Sequence, residues 1–518
     1  RDVLGSRGLG DVYKRQLKRL PSRKQDIALE VQELLKLYAA HPQVTALDTL
    51  LKNDTSRNIF LKGLNGSGPA MTIASLFTKG RGSYVCVLND QEEAGYFYHD
   101  LMQLTASNEV YFFPSAYRRA IKYGHVDPAN EILRTEVLSR LQDPDASFVI
   151  VTYPDALAER VVAREVLKEN TLKISVGEKL DNMFVSDVLD EYGFEQVDYV
   201  YEPGQYALRG SILDVFSFSY EFPYRIDFFG DEVETIRTFD VETQLSKEKL
   251  DSIYIVPEMS KNAKDSTSLL GSLPRNTCIA ARDLAWCKER IGSVWNDDPV
   301  VADEESFADI DQMRKKLVRG EDFLREVLDF RRIHFGARPM GTADATIHFS
   351  TQTQPIYHKN FDRVSESFHK YLDEGYTLYI LSDQEKQANR IRMIFEDRGD
   401  NIPFTAVNRT IHEGFADDTL RICFFTDHQL FDRFHKFNLK SDKARSGKIT
   451  LSLKELNQFS QGDYIVHIDH GVGQFGGLVR TEVNGKMQEA IKLIYQNNDI
   501  IFVSIHSLHK LSKYKGKE

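Results

Sequence analysis

We predict an α/β protein of several domains from two patterns and from the length of the chain. Short apolar runs such as NIFLKGL (58–64), SYVCVL (83–88) and SFVIVTY (147–153) alternate with amphipathic segments, as buried parallel strands alternate with helices in a doubly wound sheet. Closely spaced extended runs at 168–256 and 459–518 are typical of antiparallel sheets instead. The 518 residues exceed what one hydrophobic core usually holds, so these patterns belong to separate domains.

Changes of pattern along the chain predict the domain boundaries. In the first antiparallel region, Gly210 and Gly230 separate the extended runs, and in the second, Asn484-Gly485 predicts a tight hairpin. The predicted units are a non-native or disordered head (1–16), a first α/β domain (17–167 and 257–345), an α+β insert within it (168–256), a small α/β domain (346–436), a basic linker (437–458) and a small β-barrel (459–518).

Charge and cysteine content limit the classes of function. The net charge is −11 and positive charge is only local, which disfavours a surface that grips DNA through its phosphates and favours protein partners. Without an apolar run of about 18 residues or a signal peptide, we expect a cytoplasmic protein with no membrane partner. We expect neither a disulfide framework nor a metal site, because no CxxC pair or histidine cluster accompanies the cysteines Cys86, Cys278, Cys287 and Cys423.

The stretch LKGLNGSGPA (61–70) has the glycine spacing of a phosphate-binding loop between a predicted strand and a helix. A working loop continues with Lys, which reaches the phosphates, and Ser or Thr, which binds Mg²⁺. Pro69 and Ala70 occupy those positions here, so we interpret the site as a degenerate nucleotide loop, with chance similarity as the alternative. The residues of this loop are Gly63, Gly66, Gly68, Pro69 and Ala70.

We expect no ATP hydrolysis by this chain and assign no catalytic residue. Besides the missing lysine, no Asp-Glu pair ends a buried strand, as a helicase motor would require.

The stretch YALRGSILDVFSFSYEFPYRIDFFGDEVETIRTFDVETQ (206–244) resembles the inserted domain that UvrB shares with the transcription-repair coupling factors. In that family the domain binds UvrA through two arginines and an aromatic residue, which fall on Arg209, Arg225 and Phe229. The alternative is that the arginines are surface charges and that Phe228 and Phe229 are both core. Successive strand residues face opposite sides, so one phenylalanine should be buried and the other exposed.

The segments 462–486 and 489–514 resemble the module with which coupling factors and CarD-type regulators bind RNA polymerase. In that family, a Tudor-like barrel pairs an edge strand with the polymerase β subunit. The family's Tyr-Val-Pro-Val strand reads FVSI at 502–505, which is a departure from its pattern. We expect hydrogen bonds around a glycine turn, rather than a metal, at His467 and His470. The matching edge residues are Leu478, Val479, Arg480, Thr481 and Glu482.

The resemblance covers about 41–518 and implies an adaptor in transcription-coupled nucleotide excision repair, with UvrA and the RNA polymerase β subunit as partners. The body is expected to be UvrB-like but to lack the tyrosine-rich hairpin that probes damaged DNA. The family's ATP-driven translocase follows the polymerase-binding module, so ATP, Mg²⁺ and double-stranded DNA are expected to belong to a motor beyond residue 518. The alternatives are a UvrB-like ATP-dependent damage-recognition protein and a CarD-like transcription regulator.

Overall fold

The computed structural model describes most of the chain, and within it no helix is long and apolar enough to span a bilayer. The predicted head, most of the linker and the Asn484-Gly485 turn lie outside the described residues. The residues that the structure describes are 30–53, 56–80, 82–107, 109–116, 128–143, 145–241, 243–258, 266–296, 314–433, 435, 437, 439, 461–467, 470–483, 486–495, 499–504 and 511–513.

The first part of the chain builds an α/β unit, here called the body, and a second set of strands forms the insert. The body begins with α1 (Val31–Ala39), α2 (Pro42–Lys52), β1 (Asn58–Lys62), α3 (Gly68–Gly80), β2 (Ser83–Val87), α4 (Gln91–Thr105), β3 (Val110–Phe112), α5 (Pro128–Arg140), β4 (Phe148–Thr152), α6 (Pro154–Leu157), β5 (Val161–Val162) and α7 (Arg164–Glu169). The insert contains β6 (Leu172–Ser175), α8 (Asn182–Glu191), β7 (Glu195–Gln196), β8 (Gln205–Arg209), β9 (Ile212–Val215), β10 (Tyr224–Phe229), β11 (Glu232–Phe239), β12 (Ser246–Leu250) and β13 (Ser252–Ile255).

The chain then returns to the body and continues into two further units, here called the small unit and the C-terminal sheet. The body is completed by β14 (Ser266–Thr267), α9 (Leu269–Ser272), β15 (Cys278–Ala281), α10 (Leu284–Asn296), α11 (Gly320–Val327), β16 (Arg331–His334) and β17 (Ala345–His348). The small unit contains β18 (Thr351–Thr353), α12 (Phe361–Asp373), β19 (Thr377–Leu381), α13 (Glu385–Asp397), β20 (Thr405–Val407), β21 (Phe415–Asp417), β22 (Ile422–Thr426) and α14 (Asp427–Leu430). The C-terminal sheet contains β23 (Tyr464–His467), β24 (Gly471–Val483), β25 (Lys486–Ile494), β26 (Ile500–Ser504) and β27 (Leu511–Lys513).

A seven-stranded parallel sheet, in the order β17-β1-β16-β15-β2-β4-β3, forms the centre of the body. The strands predicted at 58–64, 83–88 and 147–153 are β1, β2 and β4, so those predictions and their parallel arrangement are confirmed. All five residues of β2 and of β4 are buried, as expected where helices cover both faces of a parallel sheet.

The insert is a six-stranded sheet, in the order β12-β11-β10-β9-β8-β7, whose neighbours are antiparallel apart from β7 and β8. This confirms the antiparallel sheet predicted for the region. Helix α8 covers one face, because Val185 and Leu189 lie in the same apolar cluster as Leu213 and Ile226. Two short antiparallel pairs, β5 with β14 and β6 with β13, bring the two connections to the body together.

The small unit has a five-stranded mixed sheet, in the order β18-β21-β22-β19-β20. Strands β19 and β22 pair in parallel, and α13 lies between them in the chain. Phe415 and Phe424 of this sheet belong to the same apolar cluster as Tyr38 of the body, so the two units share a core.

The C-terminal sheet has five antiparallel strands in the order β26-β25-β24-β23-β27. Val483 of β24 lies opposite Lys486 of β25, which confirms the predicted hairpin. The register shifts between Phe475 and Leu478, where Gly477 has φ +98°, a value that glycine adopts without strain. Closure of the sheet into a Tudor-like barrel stays a prediction.

Candidate functional site

Strand β10 presents Phe229 to solvent at the end of the insert. Phe229 is 78% exposed, whereas its neighbour Phe228 is 4% exposed and lies in the cluster covered by α8. The strand ends at Phe229, and Gly230, with φ +63°, begins the hairpin to β11. The predicted alternation of one buried and one exposed phenylalanine is therefore confirmed, and Phe229 is available as an apolar anchor.

The structure brings the other two predicted residues, Arg209 and Arg225, together around one buried carboxylate. Arg225 binds Asp214 through two hydrogen bonds, Nε to Oδ1 at 2.7 Å and Nη2 to Oδ2 at 2.8 Å. Arg209 also donates to Asp214 Oδ2, and its Nη1 donates to the carbonyl of Asp198 at 2.8 Å. Asp214 is 0% exposed, so these arginines compensate a carboxylate that has no contact with water.

These residues lie on the face of the sheet opposite α8. Along β10, Arg225, Asp227 and Phe229 alternate with the buried Tyr224, Ile226 and Phe228. Arg225 pairs across the strands with Asp214, which places Asp214 on the same face. On this face, here called the open face, the ring of Phe229 is exposed and the guanidinium groups of Arg209 and Arg225 are partly exposed. Ala207 and Phe239 of the same face pack against α5 of the body. An exposed ring near guanidinium groups suits recognition of a protein surface.

The sequence analysis missed a second ion pair on this face. Arg237 of β11 lies directly opposite Arg225 and donates to Asp227, which also accepts a hydrogen bond from Thr235 Oγ1 at 2.8 Å. The period-2 alternation of β11 places Arg237 on this face, but its pairing with Asp227 also requires the register of β11 against β10. Hydrogen bonds to Asp214 raise the pKa of Arg225 above its usual value, so its charge is retained beside Arg237.

Strand β24 offers an unpaired edge in its second half. It pairs with β23 over Gly471–Gln474 and with β25 over Gln474–Val483. Among the strands that the structure describes, Leu478–Val483 has β25 as its sole partner, so the other side of this segment is open to strand addition. Leu478 is 43% exposed.

The remaining predicted edge residues are placed by their backbone. Val479 lies opposite Ala490, Arg480 opposite Glu489, Thr481 opposite Gln488, and Glu482 opposite Met487. Their assignment as contacts with a partner stays a prediction. Nearby, the rings of His467 and His470 lie 4.6 Å apart, and across the described residues no group of histidines, cysteines and carboxylates is arranged to hold a metal.

The degenerate nucleotide loop lies between β1 and α3, which confirms its predicted strand-loop-helix context. Gly63 and Gly66 have positive φ angles, and Gly68, Pro69 and Ala70 are buried in the first turn of α3. The loop faces the small unit, because the Ser67 N–H donates to the carbonyl of Glu413 at 2.9 Å.

Four histidines from separate segments meet beside this loop, where the body joins the small unit. His99 comes from α4, His428 from α14, and His412 and His435 from loops. The rings of His428 and His435 stack with centroids 4.3 Å apart, and His99 lies 5.0 Å from His435. Burial lowers the pKa of His99, His412 and His428 to about 4, so these imidazoles are neutral near pH 7.

Two domain models match the chain at the two surfaces described above. The model of the UvrB interaction domain matches residues 172–260, and that of the CarD-like/TRCF RID domain matches residues 459–515. The chain is similar to the transcription-repair-coupling factors. The protein of that name from Staphylococcus aureus (strain bovine RF122 / ET3-1) is 23% identical over 92% of this chain and 47% of the relative.

A second relative gives the same result. The transcription-repair-coupling factor of Bacillus subtilis (strain 168) is 23% identical over 88% of this chain and 45% of the relative. The chain therefore spans about half the length of the curated relatives it matches. The open face with Phe229 lies within the first matched domain, and the unpaired half of β24 lies within the second.

We expect that Arg225→Ala destabilises the insert by about 3 kcal/mol, because the buried Asp214 loses its bidentate partner. Arg237→Ala is the matched control, since its partner Asp227 is partly exposed and keeps the hydrogen bond from Thr235. Thermal unfolding and hydrogen exchange of β9 and β10 measure the difference. Equal protection in the two variants would contradict a structural role for Arg225.

The histidine cluster predicts a pH dependence of stability. Because the pKa of His99 is about 4 when folded and about 6.5 when unfolded, the unfolded chain takes up the extra proton as pH falls from 6.5 to 4, and stability is lost. The nearby Asp100, whose pKa burial raises to about 7, acts in the opposite direction, so single-residue comparisons are needed.

Through His99, the wild type should lose about 2 kcal/mol in free energy of unfolding between pH 7 and pH 5. His99→Gln lacks this titrating group and should be spared that loss. The exposed His369→Gln is the control. Urea unfolding at the two pH values measures the difference, and a pH-independent difference for His99→Gln would contradict the assignment.

Proposed function

We propose that this chain is an adaptor in transcription-coupled nucleotide excision repair, in which the insert binds UvrA and the C-terminal sheet binds RNA polymerase. The observation that carries the proposal is the presence of two matched interaction domains on one chain, each with an accessible surface. These surfaces differ in kind: one is an open sheet face with an exposed Phe229, and the other is an unpaired strand edge. Separate surfaces allow both partners to be held at once.

For the insert, we propose that Phe229 is the apolar anchor for UvrA and that Arg209 and Arg225 supply charge beside it. Asp214 holds both guanidinium groups in place before a partner arrives, so little side-chain entropy is lost on binding. Exposed aromatic rings and arginines are the side chains that most often dominate the energy of an interface.

For the C-terminal unit, we propose a Tudor-like barrel whose segment Leu478–Glu482 adds to a strand of the RNA polymerase β subunit. Main-chain hydrogen bonds would supply affinity, and the side chains of this segment would set the register. The insert boundaries 168–256 and the unit 459–518 are part of this proposal.

The body and the small unit would space the two partner sites, and we propose no cofactor for this chain. ATP, Mg²⁺ and double-stranded DNA are assigned to a motor in the part of the coupling factors that this chain does not match. The missing lysine and hydroxyl side chains at Pro69 and Ala70 support this assignment.

Phe229→Ala is expected to weaken UvrA binding at least about tenfold, because an exposed anchor is lost from the interface. Leu245→Ala, which removes an exposed apolar side chain at the opposite end of β11, is the control and should leave the affinity unchanged. Titration of purified UvrA against both variants measures the effect, with thermal unfolding to establish equal folding. Wild-type affinity of Phe229→Ala would refute the proposed anchor.

Leu478→Asp is expected to weaken binding to the RNA polymerase β subunit about tenfold or more, because it places a charge on the edge that receives the partner strand. Val472→Asp is the matched control, since Val472 is similarly exposed on the same strand but lies where β24 pairs with β23. A binding titration with each variant measures the effect. Equal losses in both would place the polymerase contact elsewhere on the sheet.

A further inference from the structure

The degenerate nucleotide loop is occupied by the chain's own backbone. Residues 412–414, which connect β20 to β21 in the small unit, lie against Gly66 and Ser67. The Ser67 N–H donates to the Glu413 carbonyl at 2.9 Å, and the Glu413 N–H donates to Ser67 Oγ at 3.0 Å. This reciprocal pair uses an amide that a phosphate-binding loop would direct at a phosphate oxygen.

A carboxylate of the body extends the same network. Asp100 of α4 is 3% exposed, and its Oδ1 accepts the His412 N–H at 2.6 Å. It also accepts a hydrogen bond from Ser67. The segment 412–413 therefore gives both of its amide protons to the body.

The glycines of the loop are required for this close approach. A Cβ atom on Gly66 would lie 2.8 Å from the Gly414 carbonyl oxygen and 3.0 Å from that of Glu413. A Cβ atom on Gly63 would lie 2.2 Å from the carbonyl oxygen of Phe349, which directly follows β17 of the body. In a nucleotide loop, glycines leave room for a phosphate group because they have no side chain. Here the same glycines leave room for main chain.

Aromatic and polar contacts surround this main-chain junction. Tyr96 of α4 stacks on His412 with ring centroids 3.7 Å apart, and His41 Nε2 lies 3.1 Å from Asp417 Oδ2. His41 and Asp417 are both fully or almost fully buried. The junction is therefore a packed interface rather than an incidental contact.

We propose that loop 63–68 is an internal docking site whose ligand is the main chain of residues 412–414, and that it locks the small unit onto the body. A carbonyl oxygen carries a partial negative charge, so it binds an amide donor but needs neither the lysine nor the Mg²⁺ ligand of a nucleotide loop. Pro69 and Ala70 are then compatible with the function of the loop. This role is independent of the binding of UvrA or RNA polymerase.

Backbone hydrogen exchange of Ser67→Ala tests the lock in the full chain. The variant removes the acceptor of the Glu413 N–H, so exchange over 411–414 should become about tenfold faster. Ser75→Ala is the control, because Ser75 is buried in α3, the helix that follows Ser67, and donates to the Met71 carbonyl within that helix. Unchanged exchange over 411–414 in Ser67→Ala would overturn the proposal.

A second pair of variants separates the contact from backbone strain. Gly66→Ala should loosen the same segment by more than Ser67→Ala does, because its Cβ meets the carbonyls of residues 413 and 414. Gly399 also has a positive φ, so Gly399→Ala introduces comparable backbone strain, but its Cβ would meet no atom within 4 Å. This variant should therefore leave 411–414 protected from exchange. Equal exchange in these two variants would also overturn the proposal.

Nucleotide binding supplies an independent test. The double variant Pro69→Lys/Ala70→Thr restores the sequence of a nucleotide loop, but the Glu413 carbonyl still occupies it. We expect no binding of MgATP by calorimetry at 1 mM, roughly the upper end of working nucleotide affinities. MgATP binding to this variant with unchanged exchange over 411–414 would show that the loop is open, and the proposal would fail.

Discussion

Buried main-chain groups must find hydrogen-bond partners, and this requirement determines how the body and the small unit are joined. The loop after β1 leaves amide donors at the carboxyl end of a parallel sheet, where many α/β proteins bind an anionic ligand. Here the carbonyl of Glu413 takes one of these donors, and Asp100 takes the amide of the preceding residue. Because each contact links residues more than 300 positions apart, the two units depend on each other for satisfied polar groups.

The requirement that buried polar groups have partners also determines the arrangement of the open face of the insert. Asp214 is fully buried and needs a positive partner, so Arg225 and Arg209 serve the fold as well as any interface. A carboxylate from a partner would have to share guanidinium groups that are already paired. The gain for binding is therefore pre-organisation, whereas Phe229 contributes area that the folded chain leaves uncovered.

Local patterns were sufficient to predict several elements of the fold. Apolar runs predicted β1, β2 and β4, and period-2 alternation predicted that one of Phe228 and Phe229 is exposed. The Asn-Gly pair at 484–485 predicted the hairpin between β24 and β25. These features depend on residues a few positions apart, and such spacing is visible in the sequence.

Contacts between distant segments were not predictable in the same way. Nothing in the sequence near Glu413 indicates that its carbonyl meets Ser67, and the shared burial of Asp214 by two arginines requires the register of three strands. Likewise His99, His412, His428 and His435 are dispersed along the chain and meet when the two units pack. The motif at 61–70 therefore identified the loop but not its occupant.

In β24, Gly471–Gln474 pairs with β23 and Gln474–Val483 pairs with β25, so beyond the bulge at Gly477 one side of the strand is open among the described strands. A partner strand can therefore add to the sheet without displacing any strand that is already paired. Association of this kind needs no prior opening of the protein, so its rate would be set by diffusion and orientation rather than by a slow conformational step. The geometry of a single strand thus bears on how quickly an encounter with a partner strand becomes a stable complex.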